Sequence, residues 1–253
     1  MTGLIVGLTG VGGGALMTPI LLLVFGMAPR AAVGTDLWFA AATKLAITPM
    51  HQRLGLIDWQ ILRRLWTGSL TASAATLVWI NVQPPDASHI RFLQIAVALA
   101  VGVTALSLLL ESPLQGLGRR VFSDAAGRHA RVWQGPATVA AGAVLGTTVT
   151  LTSVGAGALG AVMLVYLYPA RLTPPRLIAT DIAHAIPLAI FAGIGHLLSS
   201  PVDWVLLGSL LLGSIPAAIV GARVSSRLPH RWLRVALALV LLAVVLRLAA
   251  GLL

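Results

Sequence analysis

The chain has no cysteine, which excludes thiolate catalysis, disulfides and cysteine-based metal sites. Charge is almost as scarce. Only 9% of the 253 residues are Asp, Glu, Lys or Arg, against 58% that are hydrophobic, and a single lysine, Lys44, occurs. A chain of this length with so little charge and such long apolar runs has the composition of a polytopic membrane protein rather than a soluble domain. The balance of 17 Lys and Arg over 7 Asp and Glu would suggest nucleic acid in a soluble chain. Here the arginines flank apolar runs, which is how membrane proteins set their orientation, so a nucleic-acid partner is excluded. The first run has no basic region before it and no convincing small-residue cleavage site, which argues against a removable signal peptide.

What is present is hydrophobic length. Apolar segments fall near 3–25, 32–50, 61–81, 90–110, 135–168, 177–198, 202–221 and 232–252. Each is about 20 residues or longer, enough to cross a ~30 Å hydrocarbon layer as helix. The longest polar break, 111–134, carries Arg119, Arg120, Asp124, Arg128, His129 and Arg131. It reads as a solvated basic loop between a first half, 1–110, and a second, 135–253. The halves resemble each other. At one constant shift Thr35-Asp36 meets Thr180-Asp181, His51 meets His196, Asp58-Trp59 meets Asp203-Trp204, and Gly68-Ser69 meets Gly213-Ser214. With a two-residue slip, Gly12 and Gly14 meet Gly155 and Gly157. The expected fold is therefore all-α, a membrane helix bundle of two homologous halves, an arrangement common in transporters.

Two topologies compete. If all eight segments cross, Arg53, Arg63, Arg64, Arg119, Arg120, Arg128 and Arg131 face one side, and Arg30, Arg91, Arg171, Arg176, Arg223, Arg227, Arg231 and Arg234 face the other, which orients nothing. If the glycine-broken segments 3–25 and 135–168 each dip in and return, all but Arg30 and Arg91 share one face. That face would be cytoplasmic, and the halves would be inverted repeats with re-entrant glycine-rich helices.

The breaks carry the chemistry. Gly10-Val11-Gly12-Gly13-Gly14 lies inside the first apolar run and is answered by Ser153-Val154-Gly155-Ala156-Gly157. Glycine costs about 1 kcal/mol per residue in a helix interior, and in lipid a broken backbone survives only where protein buries it or where it lines a cavity. Half-helices starting at such a break present unpaired N–H groups and a partial positive charge, a seat for an oxyanion. Thr9, Thr152 and Ser153 add hydroxyl donors, and Thr35 and Thr180 complete the candidate binding set. The alternative is that these glycines only permit close helix packing.

Lys44 lies well inside an apolar helix, where an ionised group is costly unless paired. Either it neutralises an anion or it snorkels toward the segment end at Pro49 to Arg53. Asp36 and Asp181 each follow a threonine and read first as helix N-caps. The sharper reading makes Asp36, Asp181 and His184 proton-coupling groups, with Asp181 and His184 one turn apart on a single helix face. His51, His196, Asp58-Trp59 and Asp203-Trp204 read as structural ends and caps. Pro187 and Pro216 lie inside apolar segments and should kink them.

The ordered set Gly10-Val-Gly-Gly-Gly14, Pro19, Pro29, Ala32-Val-Gly-Thr-Asp36, Thr43-Lys44 and Gly55-Leu-Ile-Asp58-Trp59 resembles the sulfite exporter TauE/SafE family. The second half carries the matching Ala179-Thr-Asp-Ile-Ala-His184, Pro187-Leu188, Gly195-His196, Val202-Asp-Trp204 and Gly213-Ser-Ile-Pro216. The resemblance covers nearly the whole chain. It implies a multi-pass secondary transporter of the bacterial inner membrane that moves sulfite, another sulfur oxyanion or an organosulfonate, often outward. Two departures stand out: a sparser glycine run in the second half, and an N-terminus that begins almost at the first glycine motif.

The expectation is thus a carrier whose partners are a small anion and the lipid bilayer, with a homodimer left open and no cofactor or metal. An uptake permease and a non-transporting membrane scaffold are the competing readings. An enzyme is not expected, because cysteine is missing and His184 and His196 lack the spacing of a HExxH site.

Overall fold

A computed structural model of the protein describes residues 14–48, 55–84, 86–122, 127–225 and 230–250. These form nine α-helices: α1 Gly14–Leu23, α2 Pro29–Ile47, α3 Trp59–Val82, α4 Ala87–Val121, α5 Gly127–Thr152, α6 Ala158–Leu167, α7 Pro174–Leu197, α8 Trp204–Ser225 and α9 His230–Ala250. No strand occurs among the described residues.

The helix starts follow local chemistry. Pro29 opens α2 and Pro174 opens α7, the position where the missing proline N–H is no loss. Asp58 caps α3 by accepting from the Ile61 N–H at 3.3 Å, and Asp86 caps α4 by accepting from His89 at 2.8 Å. Asp203 does the same before α8, accepting from Val205 and Leu206 at 3.1 and 2.9 Å. Trp59 and Trp204 follow their caps and stay exposed. Pro187 and Pro216 lie within α7 and α8 rather than ending them. The stretch 111–134, polar enough to read as a loop, is helical over most of its length, because α4 runs on to Val121 and α5 begins at Gly127.

Burial is that of a membrane bundle. Leu99, Leu106, Leu198, Val205, Leu212 and Leu246 point outward, while Thr18, Thr35, Asp36, Thr43, Lys44, Ser69, Thr150, Asp181 and His184 are buried. Helices α4 and α7 contain spans long and apolar enough to cross a bilayer unaided. Helix α2 packs on α7, α4 on α9, α3 on α7 and α8 on α2. The closest crossing is α3 on α5. A Cβ at Gly68 would collide with the Val139 carbonyl, at Gly142 with Leu65, and at Gly146 with Ser69. Small residues here let two backbones touch, as in other membrane helix pairs.

The segment 135–168 is a hairpin. Helix α5 ends at Thr152, five residues follow, and α6 runs back beside it. Gln134 near the start of α5 donates to the Leu167 carbonyl at 2.9 Å, and Thr138 and the Tyr168 hydroxyl are 2.7 Å apart. The Tyr166 ring meets Phe122, just past α4, edge-on at 5.7 Å. The chain therefore returns to the end of the bundle where it entered, and a full crossing is overturned for this segment.

The two ends differ in charge. Arg64 packs against Gly135, and Arg171 grips Asp58 through two bonds of 2.8 and 2.9 Å, with Arg176 3.9 Å from the same carboxylate. Arg119 and Arg120 close α4 at this end. At the other end Arg30 donates to the Ile80 and Gln83 carbonyls at 3.0 and 3.1 Å, beside Trp79, whose ring meets that of His89 at 5.3 Å.

Candidate functional site

The site lies where the α5–α6 break meets the crossing of α2 and α7. Its backbone shape comes from three residues with left-handed φ: Ser153 at 58°, Gly155 at 115° and Gly157 at 155°. Glycine adopts such angles without strain, whereas Ser153 does so at a cost. Thr152 holds the turn locally. Its hydroxyl donates to the Thr148 carbonyl at 2.6 Å and accepts from the Val154 N–H at 3.1 Å. The His196 ring bonds the Thr150 carbonyl at 2.8 Å, satisfying one of the acceptors that the end of α5 leaves open. Helix α6 then restarts with Gly160 and Ala161 donating to Gly155 and Gly157.

Lys44 reaches this break from α2. Its ammonium donates to the Ala156 carbonyl at 2.7 Å and lies 4.0 Å from Asp181 Oδ2, with both side chains 3–5% exposed. Lys44 is thus paired in the interior, and the snorkelling reading is overturned: its Nζ points across the bundle rather than along α2. Asp181 Oδ1 rests over the first turn of α6, in the space that a Cβ at Gly160 would fill. A carboxylate there also answers the partial positive charge of the helix start.

Asp36, also on α2, accepts from both the Thr18 N–H and the Thr18 hydroxyl of α1. Neither aspartate is an N-cap. Because α2 and α7 start at prolines, Asp36 and Asp181 each lie about two turns inside a helix and face the bundle interior. Asp36 Oδ1, Asp181 Oδ1 and the Thr35 and Ser153 hydroxyls are buried without a hydrogen-bond partner among the described residues. Lys44, Ser153, Ala156, Leu37, Ala40 and Ala185 surround a hollow of about 10 Å³, room for a single water. A larger cavity lies elsewhere, an apolar cleft of about 530 Å³ between α3 and α7 lined by Leu77, Val78, Asn81 and Phe191.

Several expected site residues are placed otherwise. Thr9, Gly10, Gly12 and Gly13 lie outside the described residues, and Gly14 is the first residue of α1. Thr180 accepts from the Asp58 N–H at 3.1 Å, so it serves the start of α3 at the arginine-rich end. Thr152 shapes the break instead of offering a free donor. Asp181 and His184 do not bond each other. The His184 ring turns to the Ser69 hydroxyl on α3 at 2.9 Å, because the residues three apart diverge toward different neighbours. Thr18, Ser69 and the Ala156 carbonyl were not foreseen. Thr18 had one visible signal, a hydroxyl just before Pro19 in an otherwise apolar helix.

A helix bundle that is apolar outside and keeps an ion pair against a broken helix inside is a membrane protein built around an interior charge. The chain belongs to the sulfite exporter TauE/SafE family, whose model matches residues 1–248. It is 35% identical to the probable membrane transporter protein YjnA of Bacillus subtilis (strain 168), over 95% of this chain and 92% of that protein. It is 26% identical to the probable membrane transporter protein YdhB of the same organism, over 90% of this chain and 88% of the relative. No solved structure matches it. The protein is a membrane transporter.

Proposed function

We propose that the chain is a secondary transporter that exports a small anion, sulfite or another sulfur oxyanion or an organosulfonate, across the bacterial inner membrane with proton coupling. The observation that carries this reading is Lys44, a buried cation held 2.7 Å from the backbone of an interrupted helix. A buried ionisable group in a membrane bundle marks a substrate or ion path by default, and a cation beside restarting helix N–H groups suits an anion. The substrate class follows the family's name. The crowding of arginines at the end that holds Asp58, Arg64, Arg171 and Arg176 supports a cytoplasmic assignment for that end.

The two halves are read as inverted repeats that rock about the α2–α7 contact, with the anion passing the break. The matching pairs α3 on α7 and α8 on α2 support that symmetry. Asp181, beside Lys44, is the group assigned to exchange protons.

The test is sulfite flux in proteoliposomes. Lys44→Ala is expected to abolish anion-dependent flux, and undiminished flux would remove the site assignment. Inward flux driven by an imposed proton gradient would turn the reading to an uptake permease. Absence of both flux and anion-induced thermal stabilisation would favour a scaffold.

A further inference from the structure

The hollow beside Lys44 has about 10 Å³ of room, space for one water and not for an oxyanion of four or more heavy atoms. Among the described residues, the Lys44 ammonium bonds the Ala156 carbonyl at 2.7 Å and pairs with the Asp181 carboxylate at 4.0 Å. The carbonyl belongs to the backbone of the break. The carboxylate is a side chain that makes no hydrogen bond with Oδ1, sits against the missing side chain of Gly160, and lies too far from Nζ to bond it. Of these two, the carboxylate is the group that an anion reaching Lys44 can displace.

We propose that Asp181 is the resident counter-ion of Lys44 and sets the site's selectivity: the transported anion takes its place, and the displaced carboxylate takes up one proton from water. This rests on the anion-carrier reading above. Charge balance drives the step. One cation cannot neutralise two adjacent buried anions, and a carboxylate beside a like charge in a low-dielectric interior binds a proton. The bond formed is the O–H of the Asp181 carboxylic acid, the proton comes from solvent, and the anion keeps its charge against Lys44. Protons and anions then bind together, one for one.

Among the described residues, two other titratable groups face the site, and each has a partner that holds it. On α2, Asp36 is held by Thr18 of α1 and lies near the Ser153 hydroxyl of the break. On α7, His184 bonds Ser69 of α3 within electrostatic reach of Lys44, and His196 bonds the end of α5 at Thr150. Asp58, capping α3, is gripped by Arg171 and lies near Arg176 at the bundle's end. Asp203 caps α8. Arg91 and Glu111 of α4 lie near the ends of its apolar span. The break and the first turn of α6 present Ser153, Ala156 and Gly160, which do not titrate.

The probe is methanesulfonate, which stays a monoanion at ordinary pH, so any proton uptake belongs to the protein. Purified full-length protein in weakly buffered detergent solution is expected to take up about one proton per anion bound, and its affinity to rise about tenfold for each unit that pH is lowered. Asp181→Asn is expected to bind methanesulfonate more tightly at neutral pH, with proton uptake lost and the pH slope flattened. The infrared difference spectrum of the wild-type protein on anion addition should gain a protonated-carboxyl band, a readout that does not depend on the variant folding. Binding with no proton uptake and no such band overturns the displacement while leaving the carrier reading intact. Proton uptake that persists in a folded Asp181→Asn overturns it too. Failure of wild-type protein to bind either methanesulfonate or sulfite removes the carrier reading itself, and the displacement with it.

Discussion

Asp36 and Asp181 stand at the same offset from the prolines that open α2 and α7, each after a threonine, yet their surroundings are opposite. Asp36 is fixed: the Thr18 N–H and hydroxyl both donate to one of its oxygens. Asp181 is loose. Its neighbours are an ammonium 4.0 Å away and a glycine that leaves it room. The lysine's counterpart at the same offset in α7 is Ala189, so the first helix supplies the cation and the second supplies the carboxylate that faces it. Equal landmarks in sequence can thus hold an anchor in one half and an exchangeable group in the other. What separates them is the identity of residues on neighbouring helices.

The largest effect should come from separating the buried pair. Lys44→Met leaves Asp181 without its cation, and removing one partner of a buried pair costs about 3–5 kcal/mol. The double variant Lys44→Met with Asp181→Asn should recover most of that loss in a detergent unfolding assay, whereas Lys44→Met with Asp36→Asn should not. Equal rescue by the two aspartate changes would erase the distinction between anchor and exchangeable group.

A smaller effect is expected at Gly160. A side chain there meets Asp181 Oδ1 and the Leu145 side chain, and overpacking an interior typically costs about 1–3 kcal/mol. Gly160→Val should lower stability and shift the anion response together. A variant that binds anion as the native protein does would show that Asp181 has another place to go.

Much of this was readable beforehand, and the limits have physical causes. The all-helical bundle, the basic end, the second break and the interior depth of Lys44 follow from apolar length, arginine placement and glycine's cost in a helix. These are properties of single segments. The partners of Asp36, Asp181 and His184 are not, because they depend on which helices come into contact, and for Asp181 and His184 that contact joins positions more than a hundred residues apart. Thr180 and Thr152 illustrate the same limit. Each is a hydroxyl beside a motif, and only the packing turns one toward the start of α3 and folds the other onto its own turn. The Thr-Asp pairs looked like caps because a cap is the commonest local use of that dipeptide, but Pro29 and Pro174 had already begun the helices two turns earlier.

Replacing the carboxylates one at a time sharpens the contrast. Hydrogen bonds to a charged group contribute about 1.5–3 kcal/mol, and Asp36 accepts two from Thr18. Asp36→Asn should therefore lower the unfolding midpoint clearly. Asp181→Asn also strands a buried charge, the Lys44 ammonium, so its loss should be recovered when methanesulfonate takes the carboxylate's place, whereas the Asp36→Asn loss should be the same with or without the anion. A loss at position 36 that the anion recovers, with one at 181 that it does not, would reverse the assignment.

The smallest expected effect tests the anchor from its other side. Thr18→Val keeps the shape of the side chain and removes only the hydroxyl that donates to Asp36, while the Thr18 N–H bond at 3.0 Å remains. Deleting one hydrogen bond costs about 0.5–1.5 kcal/mol, and more when a buried acceptor is left with less than it had. The expected result is a modest fall in the unfolding midpoint that vanishes when Thr18→Val is made in the Asp36→Asn background, since the charge the hydroxyl served is then gone. The two changes should be non-additive because the residues touch. Strict additivity would mean that Thr18 stabilises α1 by itself and that Asp36 is held by something other than the helix beside it.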